Sequence, residues 1–197
     1  MRRIITFDHV SADGHFAGPD GNLDWVVQDD AVARSIMEGA RIDAMLFGRR
    51  TYELFEQFWP KALDDPETAP DPHAPGRRSK DVRAMAVFIN EKEKLVFSRE
   101  RCDFTWQNTR PLPALDRKVV EGLKQEPGGD IIVFGSGSVV AQLTELGLVD
   151  EYQLVVSPVL LGDGRSLVTG LGRKIDLKTI EAKSFPSGSV LLRFAPA

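Results

Sequence analysis

Short, uniformly apolar runs that end in a small polar residue and lead into amphipathic helices constrain this chain more than any other feature. Ile131-Ile132-Val133-Phe134 ends in Gly135-Ser136-Gly137-Ser138 and passes into a helical pattern with Val139, Val140, Leu143 and Leu146 on one face. Ile42 to Phe47 ends at Gly48 and opens a second amphipathic segment. Runs without polar alternation are strands buried on both faces, and their alternation with helices points to a mostly parallel sheet between two helical layers. Ile4 to Val10, Lys94 to Phe97, Phe104 to Gln107 and Tyr152 to Val156 fit further strands. Ile175 to Ala182 and Ser189 to Phe194 fit a closing antiparallel hairpin around Pro186 and Gly188. Helices are expected from Asp29 or Asp30 to about Ala40, after Gly48, through Val82, Met85, Ala86 and Ile89, and through Leu112, Leu115, Val119 and Leu123. Pro60 to Pro75 carries five prolines and reads as a surface loop.

The 197 residues suffice for one substantial core and are read as a single α/β domain, 1–197. A formal charge of −4 argues against a nucleic-acid surface, so any anion site must be local, built from a few placed arginines. Cys102 is the only cysteine, which excludes an internal disulfide and a cysteine-based metal site. His9, His15 and His73 show no metal-ligand spacing. No apolar stretch reaches membrane-spanning length, and a soluble cytoplasmic protein without a membrane partner is expected.

The chemistry is expected where strands end, because ligands of such sheets sit at the carboxyl ends of the strands. Three polar turns fall there: Gly48 to Thr51, Ser98-Arg99 and Gly135 to Ser138. In Gly48-Arg49-Arg50-Thr51 the free N–H groups of a helix start, its dipole and two guanidinium groups converge. The arginine fork suits a phosphate monoester such as the 2′-phosphate of NADPH. The same residues also read as a solvated first turn with Thr51 helping to cap it. Gly135 to Ser138 can bring backbone N–H groups to a pyrophosphate. It is not a P-loop, it lacks the third glycine of a Rossmann fingerprint, and Asp150 and Glu151 precede the next strand rather than ending it. A tight structural turn is the competing reading. Side by side, the three turns would form one dinucleotide groove.

These motifs, with Ser11-Ala12-Asp13-Gly14-His15-Phe16-Ala17-Gly18-Pro19-Asp20-Gly21 and Ser157-Pro158-Val159-Leu160-Leu161-Gly162-Asp163-Gly164, resemble the dihydrofolate reductase-like superfamily. Within it the chain looks most like the riboflavin-biosynthesis reductases, the C-terminal domain of the bifunctional deaminase–reductases. The resemblance implies a three-layer α/β/α fold whose mixed, mostly parallel sheet has antiparallel C-terminal edge strands. It also implies NADPH as cofactor and a small-molecule substrate of pterin or aminopyrimidine type, and homologues of this kind commonly pair as homodimers. Arg49, Arg50 and Thr51 would hold the 2′-phosphate, with Gly48, Ser98 and Arg99 beside them. Gly135, Ser136, Gly137 and Ser138 would take the pyrophosphate, and Phe16 and Ala17 would face the nicotinamide. The loop from Ser11 to Asp24, freed by Gly14, Gly18 and Gly21, would close as a lid.

Two departures concern the substrate. His15 stands where these reductases tend to have lysine, and Phe134 where they tend to have glutamate. The zinc signatures of a deaminase domain are missing. Hydride transfer to a C=N or C=O carbon needs a proton, for which Asp13 and Asp29 or Asp30 are the candidates, each with a competing role: an Asp-Gly turn for Asp13, helix capping for Asp29 and Asp30. His15 is a candidate substrate contact. A catalytically weak nucleotide- or pterin-binding protein of the same fold is the alternative, and a phosphosugar or nucleotide sensor is a third reading.

Overall fold

A computed structural model describes residues 1–27, 29–39, 41–63, 80–98 and 103–197, with backbone only at 37–39 and 80–81. Arg99 and most of the proline-rich segment lie outside the described residues. The chain runs β1 (Ile4–Ser11), β2 (His15–Ala17), α1 (Asp30–Gly39), β3 (Ile42–Gly48), α2 (Arg49–Phe58), a 3-10 turn (Lys61–Leu63) and α3 (Lys80–Glu91). It continues with β4 (Glu93–Phe97), β5 (Thr109–Leu112), α4 (Arg117–Gln125), β6 (Asp130–Phe134), α5 (Gly137–Glu145), β7 (Glu151–Ser157), β8 (Arg165–Ser166), β9 (Leu177–Ser184) and β10 (Val190–Pro196).

The main sheet has the order β5-β4-β3-β6-β1-β7-β10-β9. Strands β5 through β7 pair in parallel, and β10 runs antiparallel to both β7 and β9. Consecutive side chains on a strand face opposite sides, so the unbroken apolar runs feed two cores at once. Ile4, Ala44, Leu46, Ile131 and Val133 pack under α4 and α5 with Val120, Leu123, Val140 and Leu143. Ile5, Met45, Phe47, Ile132 and Phe134 pack under α1, α2 and α3 with Val32, Ile36, Tyr52, Met85 and Ile89. Each such side chain contributes about 1.5–3 kcal/mol by leaving water. The architecture is the expected three-layer one.

The amino edge of the sheet is closed by ion pairs. Arg110 bridges Glu93 and Glu126, both at 2.8 Å, and Arg193 meets the buried Glu151 at 2.7 Å. The carboxyl edge is where the three polar turns emerge.

Some element boundaries differ from expectation. Phe104 to Gln107 is not a strand. Trp106 is buried and its indole N–H donates to Asn90 Oδ1 at 2.7 Å, while Phe104 meets Tyr52 edge-on at 4.9 Å between ring centroids. The aromatic side chains fill the second core from a loop, and the strand starts later, after Asn108 turns the chain with φ 59°. Its Pro111 is tolerated because β5 is an edge strand. Leu112 therefore belongs to β5, and α4 begins only at Arg117, where the Asp116 carboxylate caps it by accepting from Val119 N at 2.8 Å. The ribbon formed by β2 and β8 interrupts what reads in sequence as plain loop.

Candidate functional site

In the sheet, β3 lies between β4 and β6, so the turns after these strands do sit next to one another. The turn after β3 has Gly48 as the N-cap of α2, with extended backbone and no side chain to cap with. A Cβ at Gly48 would stand 3.2 Å from Val139 Cγ2, tighter than ordinary contact, so glycine keeps this turn close against α5. The first turn of α2 holds no acid. Arg49 and Arg50 thus occupy the end of the helix whose dipole disfavours cations, each at a cost of about 0.3–1 kcal/mol. Arg49 offsets this by pairing with Glu53 at 3.1 Å one turn along. Arg50 is exposed, and no acid among the described residues pairs with it.

The turn after β6 is the strained one. Gly135 has φ 53°, and Ser136 follows at φ 56° and ψ 54°, a left-handed conformation that costs a non-glycine residue about 1–2 kcal/mol. Ser136 is the N-cap of α5, yet its side chain makes no cap hydrogen bond. Its hydroxyl reaches across to the first turn instead, accepting from Gly48 N at 3.1 Å and donating to Thr51 Oγ1 at 2.7 Å. Thr51 is therefore a tie between turns rather than a helper in capping α2. The Ser136 carbonyl takes Val139 N and Val140 N. The N–H groups of Gly137 and Ser138 find no acceptor among the described residues, as expected at a helix start.

Above this turn sits Phe16. A Cβ on Gly137 would fall 2.7 Å from Phe16 Cζ, so only glycine lets the ring lie on the start of α5. Phe16 and the buried Ala17 belong to β2, which β8 holds through pairing of Ala17 with Arg165. Ser98 follows β4 directly, at the outer side of the same row.

The structure redirects the acid candidates. Asp13 accepts from Ser11 Oγ at 2.5 Å, Gly162 N at 2.7 Å and Leu161 N at 3.1 Å. These donors, the Ser11 hydroxyl foremost, hold its carboxyl far below the usual range. Asp13 is an ionised clasp between the first loop and the segment after β7, a role that competes with donating a proton. Of the aspartates at α1, Asp29 is the cap, accepting from Ala31 N at 2.8 Å, while Asp30 lies in the first helical turn. His15 donates its backbone N–H to Ser11 Oγ at 2.9 Å, and its Nδ1 lies 3.5 Å from Asp13 Oδ1. Phe134 joins an aromatic cluster, with ring centroids 5.9 Å from both Phe7 and Phe55.

Asp8 escaped the sequence reading. It is buried in the central strand β1, where neither carboxyl oxygen meets a hydrogen-bond partner among the described residues, and burial pushes its carboxyl well above the usual carboxylate range. The available signal was its position: an acid on the central strand, at period two from Val10 of the first core. It follows Phe7, whose carbonyl accepts from Gly135 N at 3.3 Å.

The groups gathered at the carboxyl edge are two adjacent helix starts, two arginines, hydroxyls and an aromatic ring over a glycine. Such a set suits an extended anion carrying phosphates.

Comparison with known proteins identifies the fold and the family. Two Bacillus subtilis (strain 168) proteins of uncharacterised function align along nearly the whole chain. YyaP is 32% identical over 194 residues, covering 96% of this chain and 93% of its own. YwjB is 24% identical over 186 residues, covering 93% and 92%. Among solved structures, a protein from Shewanella sp. PV-4 described under riboflavin biosynthesis superposes with a TM-score of 0.70 at 19% identity, over 99% of both chains. A pyrimidine reductase-like protein of Corynebacterium diphtheriae gives 0.64 at 16% identity, over 100% of this chain and 92% of its own. The Thermotoga maritima diaminohydroxyphosphoribosylaminopyrimidine deaminase/5-amino-6-(5-phosphoribosylamino)uracil reductase gives 0.65 at 15% identity, over 100% of this chain but 57% of that one. The fold is thus the dihydrofolate reductase-like one shared with riboflavin-pathway reductases. The family model of the RibD C-terminal domain matches residues 2–191, and the chain belongs to that family.

Proposed function

We propose that this protein is an NADPH-dependent reductase that delivers a hydride to the C=N or C=O carbon of a small pterin- or aminopyrimidine-like molecule. The observation that carries the reading is the joining of two neighbouring helix starts, α2 with Arg49, Arg50 and Thr51 and α5 with Gly135 to Ser138, through the Ser136 hydroxyl. The first would hold the 2′-phosphate, with Ser98 beside it, and the second the pyrophosphate. Phe16 and Ala17 would flank the nicotinamide end. When bound, NADPH supplies the hydride. The chain's share is to bind and orient it, exclude water with the loop held by β2 and β8, and deliver a proton. With Asp13 committed to its clasp, that step falls to Asp30 in the first turn of α1 rather than to Asp8, which is buried in β1.

On the substrate side the lysine and glutamate typical of riboflavin-pathway reductases are replaced by His15 and Phe134. A ribose phosphate calls for a permanent cation such as the lysine that His15 replaces. The reading is therefore a small imine or carbonyl acceptor rather than the phosphoribosylaminopyrimidine. The ionised state of Asp13 favours a second reading, a binding protein that keeps the cofactor but turns over weakly. NADPH consumption across a panel of pterins, aminopyrimidines and small imines separates the two. Turnover with at least one acceptor, lost in Asp30→Asn with NADPH binding intact, supports the reductase. NADPH binding with no turnover on any acceptor supports the binding protein.

A further inference from the structure

Ser136 takes on backbone strain and gives up its capping bond in order to reach a turn 85 residues earlier in the chain. At an N-cap the short hydroxyl normally accepts from the helix's own second or third N–H in extended backbone. Here the left-handed backbone swings it away from α5, and its one donor and one of its two acceptor lone pairs are directed at the other turn. Glycine would adopt this conformation without strain, as it does at Gly135, yet glycine has no hydroxyl. The side chain is worth its strain only for what it ties together. What it ties is the N-cap residue of α2, Gly48, and the third residue of that helix, Thr51, to the N-cap residue of α5.

We infer that Ser136 is a positioning residue that fixes the spacing of the two phosphate subsites and so contributes to the choice of NADPH over NADH. This rests on the cofactor reading above and deepens it. A ligand bearing both a 2′-phosphate and a pyrophosphate must meet both helix starts at once, so it gains from a preset distance between them. A ligand that lacks the 2′-phosphate engages only the α5 start and gains little. With the hydroxyl gone, Gly48 N–H loses its acceptor and Thr51 its donor, and the arginine turn is free to drift against α5.

The test uses the full chain and two variants. Ser136→Ala removes the tie and keeps the left-handed strain. Ser136→Gly removes both, and so should melt at a higher temperature than Ser136→Ala. Kd is measured for NADPH and for NADH on all three proteins by fluorescence titration, beside each protein's Tm. The expected result is an NADPH affinity weakened about five- to twentyfold in both variants, as for a lost hydrogen bond that also strands a donor, with NADH weakened several-fold less so that the preference for NADPH falls. A parallel loss for both cofactors would overturn the proposal, as would no loss for NADPH, or recovery of NADPH affinity in Ser136→Gly along with its stability. Wild-type protein that fails to bind NADPH would instead refute the cofactor reading itself, before any variant is compared.

Discussion

Arg50 stands where its own helix repels it, exposed at the positive end of α2 with no acid in that turn. Such a placement lowers stability, and under the proposed function Arg50 would offset this by holding the cofactor's phosphate. Arg50→Ala should therefore raise stability slightly, by about 0.3–1 kcal/mol, while weakening NADPH binding about ten- to a hundredfold. Thermal melts and cofactor titration on the same variant check the two signs, and a melt that falls together with affinity would contradict them. Phe134 makes an opposite case. It is buried among Phe7 and Phe55, so restoring the family's glutamate would bury a charge. Phe134→Glu should cost about 3–5 kcal/mol, read as a fall in the denaturant midpoint. The arginine turn was legible in sequence because its residues are consecutive and the helix period shows where it starts. The Ser136 tie was not, since its partners lie 85 and 88 residues away. The clasp of Asp13 was hidden for the same reason: two of its donors are backbone N–H groups of Leu161 and Gly162, and no side-chain pattern announces them.

The loop from Ser11 to Asp24 reads in sequence as a freely hinged lid, but two devices hold it. Asp13 clasps residues 161 and 162, and β2 pairs with β8. Both devices tie the loop to the segment that follows β7, so the two should open together. The carboxyl of Asp13 is depressed in the folded protein below its ordinary value of 3.8. The clasp is therefore at full strength above that value and is lost as pH falls through the lower folded one. Asp13→Asn should raise hydrogen exchange at Leu161 and Gly162 at neutral pH, and the gap to wild type should close on strong acidification. An equal exchange rate in the two proteins at neutral pH would show that the clasp holds nothing. NADPH should slow exchange across residues 11–24, if the loop closes as proposed. Elements of this size were the least legible: a strand of three residues and one of two carry no periodicity, and their pairing is set by a contact about 150 residues apart. The aromatic stretch at Phe104 to Gln107 has strand-like composition, but its rings are drawn into the core from a loop, so composition pointed a few residues too early.

The whole molecule is polarised. Ion pairs centred on Arg110 and Glu151 close the amino edge of the sheet, and the helix starts and arginines gather at the carboxyl edge. This polarity was legible from sequence, because apolar runs buried on both faces demand a parallel sheet with helices on either side, and such a sheet sends successive turns to one edge. What sequence could not give was strand order, and with it the adjacency of the turns after β3 and β6. The central claim is that this edge is built for a dinucleotide with a 2′-phosphate. The direct measurement is equilibrium titration of the wild-type chain with NADPH and NADH under the same conditions. The account predicts NADPH binding tighter by about tenfold or more, as charge-assisted contacts to one phosphate require. Equal affinity for the two cofactors, or no binding of either, would contradict it.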